Sequence, residues 1–181
     1  MKYFIFSFFL LIFQAAFSQD TYVCKNGYAH FFSEAPMEDI EATSHLAVSV
    51  IDVEAKRIYS KVPIRSFQFE KKLMQEHFNE NYMESERFPY GILDATFSEE
   101  IDFEKDGEHS ISLNGELELH GIKKQRTIPG KIKIENGKLS GSAAFQVALK
   151  EHGIKIPKLV IKNIAETVKV TVAFEYTAHG E

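Results

Sequence analysis

The sequence predicts a mainly β domain: an antiparallel sandwich or barrel of about eight to ten strands with one helix laid against it. Three observations carry this. Apolar residues alternate with polar ones over long runs. Turn dipeptides separate those runs at hairpin spacing. One segment alone, residues 69–83, changes the apolar period from two to between three and four.

The first element of the 181-residue chain stands apart from the rest. Lys2 is followed by the apolar run YFIFSFFLLIF and then by QAAFSQ, where Ala16 and Ser18 are small residues two apart. That is the pattern of a secretory signal peptide over residues 1–18, cleaved after Ser18. The run is too short to cross a bilayer, which takes roughly 20 residues. The expected product is one domain over residues 19–181, periplasmic or secreted, with no stable membrane anchor. Cys24 is the single cysteine, so an internal disulfide is unavailable. It reads as a small buried residue of the first strand.

The strands follow. RIYSKVPIRSF places Ile58, Ser60, Val62 and Ile64 on one face. SISLNGELELHG puts Ile111, Leu113, Gly115, Leu117 and Leu119 opposite Ser112, Asn114, Glu116, Glu118 and His120. KLSGSAAFQVALK aligns Leu139, Gly141, Ala143, Phe145, Val147 and Leu149; ETVKVTVAFEY aligns Val168, Val170, Val172, Phe174 and Tyr176. Strict alternation of this kind marks strands with one dry and one wet face. Asn136-Gly137 and Asp106-Gly107 are dipeptides suited to tight hairpins. Gly115, inside an alternating run, predicts a bulge or sharp bend.

The helical segment carries Phe69, Leu73, Met74, His77, Phe78, Asn81 and Tyr82 on one stripe. Pro89 disfavours helical geometry at Phe88, and a strand is expected to begin near Gly91. The face Phe69, Leu73, Phe78 and Tyr82 is expected to pack on the sheet or over an opening in it. His77, Glu80 and Glu84 stand at i, i+3 and i+7, which on a regular helix share a face and suit a divalent metal. The same residues also suit a solvated acidic face beside a partly buried histidine.

Composition narrows the function. The net charge is −5 at pH 7, and loss of Lys2 with the leader makes it more negative. An acidic domain lacks the basic face that meets phosphates, so nucleic acid is not an expected partner. The chain has no Gly-x-Ser-x-Gly elbow, no Cys–His signature and no phosphate-binding glycine loop. This points first to a binding module, not an enzyme.

The segment LMQEHFNENYMESERFPYG resembles the signature of the YceI-like family, and in particular its compact exported members of the Bacteroidetes type. GYAHFFSEAPMEDIEA, GELELHGIKKQRTIPG and FQVALKEHGIKIPKLVIKNIAETVKVTV resemble the same family, so the likeness runs over nearly all of residues 27–176. The resemblance implies an antiparallel, lipocalin-like β-barrel of about eight strands, a size that holds one small ligand. It implies a helix over about residues 69–83 flanking or capping that barrel, and no catalytic residues, metal or cofactor. It also implies a bound polyisoprenoid, quinone-like or other long-chain lipid, expected here with its polar head near the barrel mouth.

Candidate lining residues are Phe31, Phe67, Phe69, Met74, Phe78, Tyr82, Phe97, Leu117, Leu119, Phe145 and Phe174. Alternation alone reads each equally well as ordinary core. Three functions stay open: a lipid carrier or store, a stress-linked interaction protein whose barrel is filled by its own side chains, and a metal-dependent enzyme built on His77. A homodimer stays open as well.

Overall fold

The computed structural model describes residues 21–34, 39–155 and 165–179. The leader, and with it the cleavage point at Ser18, lies outside the described residues. Among them, eight antiparallel strands follow one another around a closed barrel: β1 (Thr21–Ser33), β2 (Ile40–Asp52), β3 (Arg57–Pro63), β4 (Tyr90–Thr96), β5 (Gly107–Leu119), β6 (Ile122–Glu135), β7 (Lys138–Ala148) and β8 (Thr167–Ala178). Pairing of β8 with β1, from Tyr22↔Ala178 to Phe32↔Lys169, closes the ring.

The alternating faces point as the sequence predicts. Ile58, Ile111, Leu113, Leu117, Leu139, Ala143, Val147, Val168, Phe174 and Tyr176 are all buried. Cys24 is buried in β1, as a small residue of the first strand should be. Asn136 and Gly137 have φ of 52° and 74°, the left-handed pair of a two-residue hairpin between β6 and β7.

Asp106-Gly107 is not such a turn. Gly107 already pairs with Ile134 in β5, and the Asp106 carboxylate accepts the Asn136 backbone N–H at 3.0 Å, joining two loops. The second two-residue hairpin is instead His120-Gly121, with φ of 51° and 71°, between Leu119 and Ile122. Gly115 is not a bulge either, because the register on both sides runs through it without a break. It is a close approach: a Cβ there would sit 2.1 Å from the Asp94 carbonyl oxygen. The register shifts fall in β1 on both sides of Gly27, whose added Cβ would meet the Phe174 ring at 2.3 Å.

The two ends of the barrel differ. At the lower end, the connection from β4 to β5 lays Phe97, Ile101 and Phe103 against the main core while most of its polar residues stay exposed. Tyr22 stacks on Phe103 at 5.7 Å between ring centroids. The upper end carries the connection from β3 to β4, which contains α1 (Lys72–His77). The helix is shorter than residues 69–83, because at Phe78–Tyr82 it widens into a π turn in which the Met83 N–H reaches back to the Phe78 carbonyl. That turn swings Met83 into the interior and leaves His77 and Asn81 outside. Leu73 is 63% exposed and does not pack on the barrel. The inward stripe is Met74, Phe78 and Tyr82, with Phe69 supplied by the chain before the helix.

Candidate binding cavity

The inward faces of the strands do not fill the barrel. A cavity of about 210 Å³ runs from beneath the helix down to Tyr176. A single buried water needs only roughly 10–15 Å³, so the space is far larger than a packing defect.

Its upper part is aromatic. Phe31 of β1 lies 5.5 Å from Phe67, 5.7 Å from Phe69 and 5.4 Å from Phe78, measured between ring centroids. The chain that brings Phe67 and Phe69 there is pinned to β2. Thr43 and Gln68 exchange backbone hydrogen bonds of 3.1 and 2.8 Å, and the Ser44 hydroxyl meets the Ser66 hydroxyl at 2.6 Å. Below the helix the wall continues with Leu93, Leu117, Leu119, Phe145, Val147 and Val170. Ile51, Ile58, Ile111, Ile132 and Gly141 belong to the lower part, with Ser60 and Tyr176.

Polar groups along this wall are few. Lys61 and Lys131 touch it only from the outward register: the Lys61 ammonium lies over the Tyr90 ring and that of Lys131 bonds Glu108 at 2.6 Å. Ser33, buried at the helix end, accepts the Ala165 N–H at 3.1 Å, and a cluster of hydroxyls lies at the bottom. The Ser49 hydroxyl is 2.8 Å from the Tyr176 hydroxyl and 2.8 Å from that of Ser60. Burial pushes the Tyr176 phenol well above its ordinary range, outweighing its bond to Ser49, so it stays a neutral O–H.

A profile of the YceI-like domain matches residues 29–176. The chain belongs to the YceI-like family. No curated protein matches it. Its barrel is similar to a polyisoprenoid-binding domain from Saccharophagus degradans implicated in plant cell wall breakdown, with a TM-score of 0.74 and 11% identity over 87% of this chain and 98% of that one. It is similar to BcnA of Burkholderia cenocepacia, with a TM-score of 0.66 and 8% identity over 83% of this chain and 96% of the other. The YCEI protein of Campylobacter jejuni gives 0.51 and 14% identity over 100% of both chains. At these identities the likeness is one of fold.

Within this YceI-like barrel, Phe31, Phe67, Phe69, Met74, Phe78, Tyr82, Leu117, Leu119, Phe145 and Phe174 all border the cavity. Phe97 does not. It follows the last residue of β4, and its backbone N–H bonds the Lys56 carbonyl at 3.0 Å, so its buried ring belongs to the lower plug. The sequence reading passed over Ser60 and Tyr176 as site residues. Their signal was present: both are hydroxyl-bearing side chains in an inward register otherwise occupied by Ile, Val and Phe.

His77 is exposed, and the regular helix needed to align it with Glu84 ends at the π turn. Glu84 has a φ of 42° and turns to His120, at 3.2 Å. Among the described residues no group of three His, Cys, Asp or Glu side chains is placed to hold a metal.

His120 is part of a latch at the upper end. It packs edge-on against Phe88 at 4.5 Å, and its Nδ1 lies 3.1 Å from the His152 carbonyl. His152 is fully buried and its Nδ1 donates to the Ile122 carbonyl at 3.1 Å. Burial holds the His152 pKa below the ordinary range.

Proposed function

We propose that this YceI-like barrel is an exported, non-enzymatic carrier or store that holds one long apolar lipid, polyisoprenoid or quinone-like, inside its cavity. The observation that carries the reading is the wall itself: a closed barrel whose interior space is bordered by Phe, Ile, Leu, Val and Met and by few polar groups. Such a wall gains ~0.8 kcal/mol for each CH₂ it takes from water, and offers a sugar or peptide few hydrogen bonds for those it would lose. The polyisoprenoid-binding domain of Saccharophagus degradans, on the same fold, supports the ligand class. The size of the space weighs against a barrel filled by its own side chains.

Mild extraction followed by native mass spectrometry tests the reading. The expected result is the protein plus the mass of one lipid, or uptake of one isoprenoid quinone per chain at micromolar concentration. Bare protein that takes up no isoprenoid would leave the interaction-protein reading in its place. Export rests on the leader pattern of residues 1–18, and N-terminal sequencing should find Gln19 first. A cellular product that keeps Met1 would overturn export.

A further inference from the structure

The hydroxyl groups at the bottom of the cavity do not balance. Tyr176, Ser49 and Ser60 form a chain of three O–H groups joined by two hydrogen bonds, each 2.8 Å long. In either bond either oxygen can be the donor. If the chain runs from Tyr176 through Ser49 to Ser60, the Ser60 proton is unspent. If it runs the other way, the Tyr176 proton is. Should Ser49 accept from both neighbours, its own proton is the one left over. Three protons and two bonds leave one donor in every arrangement. Both end residues, Ser60 and Tyr176, border the cavity, while Ser49 is fully buried behind them. Tyr176 is 7% exposed and Ser60 is partly buried, and both face the cavity, so an oxygen lying in the cavity is placed to take the spare proton.

We propose that this hydroxyl chain is a polar subsite that donates one hydrogen bond to a neutral carbonyl oxygen at the inner end of the bound lipid. The inference rests on the cavity holding an apolar chain, and adds to it both an orientation and a ligand class. Tyr176 lies two residues from the end of β8, at the plugged end of the barrel, while the helix end is walled by Phe31, Phe67, Phe69 and Phe78. The oxygen-bearing end therefore goes in first and the hydrocarbon lies under the helix, the reverse of a head held at the mouth.

The acceptor is neutral because a carboxylate or phosphate would be buried there without a counter-charge. The cations bordering the cavity are Lys61 and Lys131, and both are engaged on the outer surface. A quinone, ketone, amide or ester carbonyl has the required lone pairs and no charge to desolvate.

The test uses three probes on the full-length mature protein: farnesylacetone, an isoprenoid hydrocarbon of similar length, and farnesoate at pH 8. Their affinities are compared in the wild type, Tyr176→Phe, Ser60→Ala and the double variant. Ratios between probes are taken within each protein and compared across proteins, so the aqueous solubility of each probe cancels. Loss of both cavity-facing hydroxyls should lower the ketone-to-hydrocarbon ratio about 3–10-fold, the range of one neutral hydrogen bond. Hydrocarbon affinity should hold, farnesoate should bind more weakly than the ketone, and the carbonyl stretch of bound farnesylacetone should sit at lower frequency in the wild type than in the double variant.

An unchanged ratio with hydrocarbon still bound overturns the subsite and leaves the apolar cavity standing. Farnesoate as the tightest ligand, unaffected by the substitutions, also overturns it. Binding of none of the probes overturns the cavity reading and the subsite together. Should the double variant not fold, the wild-type spectrum decides: a carbonyl band as high as that of the ketone in hydrocarbon solvent rules the hydrogen bond out.

Discussion

His152 is the buried side chain whose protonation the fold resists most plainly. Its Nδ1 donates to Ile122, and its Nε2 is buried without a protein partner. Burial disfavours the charged ring more than the Ile122 and Leu119 carbonyls and the Glu151 carboxylate favour it, so its pKa is depressed from the ordinary 6.5. The sign follows from linkage. Above about 6.5 the ring is neutral in both folded and unfolded chains, and its full contribution is present. As the pH falls toward the lower folded value, the unfolded chain binds the proton first and stability is lost. The denaturation midpoint should therefore begin to drop below about pH 6.5, before the carboxylates titrate. An NMR titration placing the His152 midpoint at or above 6.5 would refute this.

Two glycines show the difference between space and conformation. A Cβ on Gly115 would lie 2.1 Å from the Asp94 oxygen and 2.4 Å from the Ala95 Cα, both backbone atoms fixed by the ladder. Gly115→Ala should cost more than about 3 kcal/mol, since strands β4 and β5 must part to admit it. Gly137 has open space around it but a φ of 74°, so Gly137→Ala should cost only about 1–2 kcal/mol of left-handed strain. Paired urea denaturation curves check both, and equal costs would contradict the assignment.

At the scale of elements, the capping helix is held by a narrow stripe. Phe78 sits among Phe31, Phe67 and Phe69, at centroid distances of 5.4, 5.9 and 5.0 Å, yet is only partly buried because it also borders the cavity. Phe78→Ala should thus cost about 2–3 kcal/mol, short of the range of about 3–5 for a ring sealed in a core. Leu73→Ala, on the exposed side, should change stability by less than about 0.5 kcal/mol. A large loss from Leu73→Ala in thermal or urea denaturation would mean that the helix packs by the other face.

The sequence made the strands legible for a definite reason: a barrel buries one face of every strand, so period two survives within each of them, as from Ile111 to Leu119 and from Val168 to Tyr176. It made the helix legible only in outline. A stripe drawn at spacings of three and four presumes a regular helix, and a π turn at Phe78–Tyr82 moves every later residue around the axis. That is how Met83 came to be buried, while the expected alignment of His77 with Glu84 was lost. Glycines were harder still. Gly115 and Gly27 each lie in a strand, and which one accompanies a bulge depends on the neighbouring strand, which local sequence does not contain. The cavity residues were recoverable because they are the inward set. Phe97 shares their chemistry, and only its position past the end of β4 removes it from the wall.

At the scale of the whole molecule, the barrel sets an upper length on what it holds. It is plugged below by Phe97, Ile101 and Phe103 and crossed above by the helix, so its interior is a finite apolar space. An isoprenoid tail should bind more tightly with each added unit only while wall is there to meet it. A unit of about five carbons gives at most ~4 kcal/mol, less the cost of ordering the chain. Beyond the length that fills the space, further units lie in water and the gain stops. Ala143 provides the lever. It borders the cavity on β7, between Gly130 of β6 and Val172 of β8, so a larger side chain there projects into the middle of the space. Ala143→Trp should shift the length at which affinity levels off toward shorter tails, while short tails that never reach it bind as before. A titration with isoprenoid quinones of graded tail length, run on the wild type and on Ala143→Trp, reads both plateaus. A wild-type affinity that climbs without levelling would mean the tail does not end inside a closed space. Identical plateaus in a folded variant would place the ligand away from β7, on a wall other than the one Ala143 shares with Phe145 and Val147.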